Sequence, residues 1–316
     1  MTKKIKVAVF GCGYWGKNLI RNFSQLGSLG AIVDPNKDLA DIYSSKYGAQ
    51  SMSTEQALNS DLDAIVIAAP AELHAKLAIQ ALDAGKHVYV EKPIALNEKD
   101  ALAMILASKK ADKKLMVGHL LQYHPIFVAL RKKVRGGELG ELHYAYSHRL
   151  SLGKFRVEED AFLSLAPHDV SMILSLFDES PIHVSKRGSA FVTRSVDDEA
   201  RLDMVFPSGG RAHIFTSWLH PFKEQRLVVV GKKGMAVFDD QKPWEEKLAI
   251  YRHGIDTNGD VPVPKKADVD YIKVRKGEPL ENECRHFIDS IINDTTPFTD
   301  GKEALRVLRV MEAGAK

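Results

Sequence analysis

"KVAVFGCGYWGKN", residues 6–18, decides how the chain begins. A short β-branched apolar run ends at Gly11, and Gly13 and Gly16 follow at the spacing G-x-G-x-x-G. Residues 14–27 then carry apolar side chains at helical spacing and stop on Gly27. Strand, glycine loop and helix, in that order, are the setting in which this motif holds a dinucleotide. Each glycine has its own task. Gly11 permits the tight turn, Gly13 lets the backbone approach a pyrophosphate, and Gly16 lets the helix pack close to the strand. The helix N-terminus, whose first amides lack partners within the helix, faces the phosphates. Tyr14 and Trp15 start that helix and are candidates either to cover the cofactor or to pack within the domain. Cys12 reads as a small buried filler, with a reactive thiol at the helix start as the alternative. Asp34 closes the next apolar strand, 18 residues after Gly16. A carboxylate there accepts hydrogen bonds from the ribose hydroxyls and repels a 2′-phosphate, which favours NAD over NADP.

Working outward, strand and helix signals alternate through residue 120. "LGAIVDP" (29–35), "DLDAIVIAAP" (61–70), "KHVYVEKP" (86–93) and "KLMVGH" (114–119) read as short strands. The segments between them are helical, with Asn36 and Asn97 as start signals and Gly48 and Gly85 as stops. This alternation predicts right-handed crossovers and a parallel sheet, and strands apolar on both faces fit a sheet covered by helices. Beyond 120 the pattern changes. "HPIFVALRKKVRGG" and "FLSLAPHDVSMILSLF" read as helices, followed by consecutive strands through about residue 252 that imply an antiparallel sheet. Two helices, about 280–293 and 301–313, end the chain, and "TNGDVPVPKKAD" (257–268) reads as a mobile loop. The expected plan is α/β: a dinucleotide-binding domain over 1–120, and a domain for substrate binding and oligomerisation over 121–316.

The bulk numbers narrow the function. With 44 basic and 41 acidic residues the net charge is +3, which gives no argument for nucleic acid as a partner. The basic runs at 108–114 and 131–135 read as solvated helix faces. Cys12 and Cys284 lie far apart without a CxxC pattern, which fits a reducing cytoplasm and provides neither a disulfide framework nor a metal site. No apolar run reaches the roughly 18 residues a membrane span needs.

"YVEKPIAL" (89–96) is a second constellation. Strand C-termini in open α/β sheets are where ligands bind, and a lysine there can exchange a proton with a reacting hydroxyl. Pro93 restricts the residues before it and could do so through a cis bond. Taken with the glycine loop, Asp34, "AAPAELH" (68–74) and a later His, the Glu91-Lys92-Pro93 triplet resembles the Gfo/Idh/MocA oxidoreductases. The resemblance extends to "PLENECRHFIDSI" and "TDGKEALRVL" near the end of the chain. It implies an N-terminal Rossmann domain with a parallel sheet, and a C-terminal α/β domain with an open, mostly antiparallel sheet. It implies NAD as cofactor, held by Gly11, Gly13, Tyr14, Trp15, Gly16, Asp34, Pro70, His74, Glu91 and Lys92. Lys92 and His168 are the catalytic pair that it implies.

Two positions depart from the family pattern. The family often has an Asp four residues before the catalytic His, where this chain has Ser164, and an Arg where Gln122 stands. The acid–base assignment is therefore left open between Lys92 and His168, with Tyr123 and His124 as outside candidates. The segment 147–169 resembles members acting on nucleotide-linked amino sugars. That implies a UDP-sugar substrate oxidised at C3, with members acting on the corresponding uronate as the alternative, and a partner aminotransferase that consumes the keto product. Arg149, Lys154 and Arg156 could receive its phosphates, and Gln122 and His168 would face the sugar. Another sugar or polyol dehydrogenase of the same family is a further reading. The open sheet face predicts a homodimer or homotetramer.

Overall fold

The computed structural model describes residues 4–153, 155–156 and 159–315. The chain divides into two compact units. The first comprises 1–123 and 278–308, and the second 124–277 and 309–316. The expected boundary near 120 therefore marks only one end of the first unit. The segment 278–308 returns to it, so the division at 121–316 is corrected.

In the first unit the chain runs β1 (Val7–Phe10), α1 (Gly16–Gln25), β2 (Leu29–Val33), α2 (Lys37–Tyr47), β3 (Gln50–Ser51), α3 (Thr54–Leu58), β4 (Ala64–Ile67), α4 (His74–Asp83), β5 (His87–Glu91), α5 (Glu98–Ala111) and β6 (Leu115–Gly118). The six strands form one sheet in the order β3-β2-β1-β4-β5-β6, and every pairing is parallel. Strand order thus reverses beside β1, the point where open α/β sheets bind their ligands. The start and stop signals act as read. Asn36 and Asn97 cap α2 and α5 through their side chains, and Gly48 ends α2 in the left-handed region. The two-residue β3 and one-turn α3 carry too little periodicity to be seen in sequence.

Alternate strand residues feed two cores. Ala8, Phe10, Ile65, Ile67, Val88 and Val90 pack with Ala78 and Leu82 of α4 and Met104 of α5. Val7, Val9, Val66, Tyr89 and Met116 pack with Leu19 and Phe23 of α1, and with Leu280, Cys284 and Phe287 far along the chain.

The second unit holds α6 (Pro125–Arg135), β7 (Leu142–Leu152), α7 (Ala161–Phe177), β8 (His183–Ser189), β9 (Glu199–Val205), β10 (Arg211–Ser217), β11 (Leu219–Gly231), β12 (Gly234–Asp239), β13 (Leu248–Tyr251), β14 (Gly254–Asp256), β15 (Val263–Lys265) and β16 (Val269–Tyr271). Eight strands form a sheet in the order β16-β13-β12-β11-β7-β10-β9-β8. All neighbours are antiparallel except β7 and β10. β14 and β15 pair separately, so part of the expected loop at 257–268 is a small hairpin. β9 shows the logic of the sheet: Ala200, Leu202 and Met204 are buried, while Arg201 between them is exposed. α7 packs on the buried face. The other face carries Tyr146 stacked on His213, with His148 edge-on to Phe215.

The chain closes with α8 (Pro279–Ile292) and α9 (Gly301–Ala315). α8 covers one flank of the parallel sheet because Leu280, Cys284 and Phe287 complete a core that α1 alone leaves open.

Candidate functional site: a dinucleotide groove and two acid–base candidates

Gly11, Gly13, Asp34 and Pro70 line one cavity of about 700 Å³ in the first unit. Gly11 has φ +99°, and a Cβ on it would stand 2.6 Å from the Ala68 carbonyl oxygen. A Cβ on Gly16 would stand 2.0 Å from the Gly11 carbonyl oxygen, so only glycine lets α1 start this close to β1. Around Gly13 the space is open, which leaves its backbone accessible. α1 has no side-chain cap. Its first amides are therefore free of the side-chain competitor that many helices place there. Asp34 is held by two backbone donors: Cys12 N–H to Oδ2 at 2.7 Å and Asn36 N–H to Oδ1 at 2.8 Å. An open glycine backbone, an uncapped helix start and an oriented carboxylate at the far wall are the donor and acceptor set that an adenosine diphosphate moiety needs.

The cavity also holds residues that the sequence reading missed. Leu73, Lys76, Leu77 and Gln80 line it as one stripe, and Thr54 borders it from α3. Their spacing of three, four and seven was legible as a helix face. Which face lined the cavity was not.

Cys12 is the buried filler. Burial first, and then the Asp34 carboxylate, push its thiol up to about 12, which excludes a thiolate nucleophile at neutral pH. Tyr14 is 85 % exposed and lies outside the cavity lining. Trp15 turns inward, and its indole N–H donates to Glu91 Oε1 at 2.6 Å.

Glu91 also accepts from Tyr89 O–H at 3.0 Å and from Lys92 N–H at 3.3 Å. It therefore ties the glycine loop to the Glu91-Lys92-Pro93 turn. The Lys92–Pro93 bond is cis. Gly118 lies opposite Glu91 on β6, and a Cβ there would stand 2.7 Å from the Tyr89 hydroxyl. Glu283 of α8 is fully buried, and among the described residues its carboxyl oxygens have no partner of good hydrogen-bond geometry, with the Tyr89 side chain as a polar neighbour. Burial, and then the neighbouring Glu91, raise its pKa well above the carboxylate range. His74 opens α4 with each ring nitrogen within hydrogen-bond distance of a carbonyl oxygen. Gln122 is buried in a short turn after β6.

In the second unit His168 sits on α7 directly after Pro167, a proline inside the helix. Asp169 points to β7 and not along its neighbour. Its carboxylate takes Arg149 in a two-point fork, Nε to Oδ2 at 2.6 Å and Nη2 to Oδ1 at 3.0 Å. Ser147 Oγ donates to Asp169 at 2.6 Å as well. Arg149 is thus engaged inside the unit. Arg156 is exposed and paired with Glu159, and Lys154 lies outside the described residues. His124 lies tilted against the rings of Phe238 and Trp244 and 3.6 Å from Asp240. Burial pushes its pKa down to about 4, so it is a neutral ring at neutral pH. Among the described residues no His, Cys, Asp or Glu group could hold a metal ion, and no helix is long and apolar enough to cross a membrane.

Residues 5–119 match the family described as "Oxidoreductase family, NAD-binding Rossmann fold", and residues 127–237 match the "GFO/IDH/MocA C-terminal domain". The chain belongs to the Gfo/Idh/MocA oxidoreductases. Its cofactor is NAD. The UDP-N-acetylglucosamine 3-dehydrogenase of Acidithiobacillus ferrooxidans is 26% identical over 96% of this chain and 94% of its own length. A solved structure of that enzyme superposes with a TM-score of 0.87 at 25% identity, covering 98% of this chain and 96% of the other. The inositol 2-dehydrogenase of Rhizobium meliloti is 25% identical over 99% of this chain and 96% of its own length. The oxidoreductase family thus supplies relatives that act on sugars and on polyols.

Proposed function

We propose that this oxidoreductase removes hydride from C3 of UDP-N-acetylglucosamine, giving the 3-keto sugar. The end-to-end similarity to the Acidithiobacillus ferrooxidans enzyme carries this reading, and the likeness of residues 147–169 to members acting on nucleotide-linked amino sugars supports it. Bound NAD supplies the hydride acceptor. Gly11, Gly13 and Asp34 hold its adenosine diphosphate portion, and Pro70 walls it. Lys92 and His168 divide the proton chemistry: one accepts the hydroxyl proton and the other donates a hydrogen bond to the developing alkoxide. Gln122 and Arg156, with Lys154, are the substrate-side candidates.

A 3-keto amino sugar is the substrate that an aminotransferase needs, so a partner of that class in envelope-glycan synthesis follows. The sheet face bearing Tyr146, His213 and Phe215 suits self-association into a dimer or tetramer, and the protein works in the cytoplasm.

A second reading has its own observation. Arg149 is committed to Asp169 and is not available to a diphosphate, and the Rhizobium meliloti relative is an inositol dehydrogenase. That favours a free polyol. Purified protein with NAD is offered UDP-N-acetylglucosamine with a coupling aminotransferase and, separately, myo-inositol, while reduced cofactor is followed by absorbance. Turnover of the UDP-sugar and not of the polyol is expected. Turnover of the polyol alone would replace the first reading with the second. Lys92→Ala is expected to lower kcat by roughly 10²–10⁴-fold.

A further inference from the structure

His74 is 1 % exposed at the first turn of α4. Its Nδ1 lies 2.7 Å from the Pro93 carbonyl oxygen, and its Nε2 lies 2.9 Å from the Ala69 carbonyl oxygen. Both partners only accept, so a ring nitrogen bonds to either of them only by donating its N–H. A ring carrying both protons spans the two carbonyls, and a neutral ring holds one of them. Burial outweighs the two carbonyls and Glu72 and lowers the ring's pKa, so the neutral ring donates to one carbonyl and packs directly against the other.

The two carbonyls belong to segments with different tasks. Ala69 is part of the wall of the dinucleotide groove. Pro93 directly follows Lys92 in the turn after β5. One imidazole, with no water between, sets the distance from the groove wall to the turn that carries Lys92. His74 itself is absent from the cavity lining.

We propose that His74 is a positioning residue: it clamps the Glu91-Lys92-Pro93 turn to the Ala69 wall, and so fixes the Lys92 amine relative to the bound cofactor without touching cofactor or substrate. The proposal rests on the reading of Lys92 as an acid–base residue. It assigns His74 a role distinct from direct cofactor binding. Small displacements of a reacting group are costly, since about 1 Å can cost 10²-fold in rate. The effect belongs in kcat, because the residues that line the groove are left in place.

The test compares His74→Phe and His74→Gln with the wild type. Phe fills the space with no donor, and Gln keeps an amide that can donate to one carbonyl. With UDP-N-acetylglucosamine as substrate, kcat is expected to fall roughly 10- to 100-fold in His74→Phe and to recover in part in His74→Gln. The dissociation constant for NAD, titrated without sugar, is expected to stay within about threefold of wild type; a factor of three is under half of the roughly 1.4 kcal/mol that a tenfold change represents. Unchanged kcat in both variants, or NAD affinity that falls in step with kcat, would overturn the clamp. A substrate-independent arm measures hydrogen exchange of the amides of residues 91–96 in the NAD-saturated protein. Faster exchange there in His74→Phe supports the clamp, and unchanged exchange overturns it. If the wild type fails to turn over the UDP-sugar, the substrate reading fails and the exchange arm still decides the role of His74. Should His74→Phe not fold, His74→Gln carries both arms.

Discussion

Replacing Arg149 with Leu separates two roles that the same residue could play. In the second unit Arg149 donates twice to Asp169, whose side chain is 1 % exposed, and Ser147 supplies the other donor. Burial works against the charged guanidinium, but the Asp169 carboxylate outweighs it and raises the Arg149 pKa. Two unit charges about 3 Å apart attract by about 5 kcal/mol at an effective dielectric constant near 20. Desolvation of both partners offsets much of that, so the intact pair adds little net stability. Removing one partner is different, because Asp169 keeps its desolvation cost and loses its counter-charge. The expected loss is about 3–5 kcal/mol. Urea unfolding is followed by Trp218 and Trp244 fluorescence in a Trp15→Phe background, so that the signal reports the second unit. Arg149→Leu is expected to lower the midpoint without changing the slope. The double variant Arg149→Leu/Asp169→Leu is expected to return to within about 1 kcal/mol of wild type or above it, because no charge is then left buried. A loss below about 1 kcal/mol for Arg149→Leu, or a double variant no better than the single, would refute the buried-pair argument. If Arg149 were instead a phosphate ligand, the single variant would fold with wild-type stability and bind UDP poorly.

Two further outcomes follow from the first unit. Asp34→Ala removes both the proposed ribose acceptor and the carboxylate that orders Cys12 and Asn36. The ratio of kcat/KM for NAD over NADP is expected to fall at least about tenfold, roughly 1.4 kcal/mol, and an unchanged ratio would clear Asp34 of a role in cofactor choice. Glu283 has a folded pKa raised by burial, so the native chain keeps a proton that the unfolded chain releases above about pH 4.3. That contribution is complete below this pH and is lost as pH rises through the native value. Glu283→Gln, which cannot titrate, is therefore expected to gain on wild type in thermal midpoint as pH goes from 4 to 8. A constant difference across that range would show Glu283 to be charged in the native state.

What the sequence disclosed and what it withheld divide along a physical line. The β1 loop, Asp34 and the Glu91-Lys92-Pro93 turn were legible because their chemistry is local: glycine where a Cβ cannot fit, a carboxylate at a strand end, a lysine beside a proline. The return of α8 was not, since its apolar stripe of Leu280, Cys284 and Phe287 states that a face is buried and not against what. Arg149 read as a free cation because its partner lies 20 residues on, across a helix–strand packing contact. The parallel pairing of β7 with β10 was hidden for a similar reason. Consecutive strands suggest antiparallel neighbours, but α7, β8 and β9 intervene before the chain comes back beside β7. Glu283 would pass in sequence for a solvated helix charge, and only the fold shows that it is fully buried with no counter-charge among the causes that set its pKa.

The return of residues 278–308 to the first unit makes that unit discontinuous in the chain. During synthesis the parallel sheet emerges early, with the flank around Val7, Val9, Tyr89 and Met116 covered only in part by α1. It stays so until the ribosome has made residues 124–277 of the second unit and released α8. The cofactor half is thus begun first and completed only near the end of the chain. A nascent chain stalled before residue 278 presents an exposed apolar flank of the kind chaperones recognise, and cutting the chain at 120 would yield an aggregation-prone fragment and not a miniature NAD-binding protein.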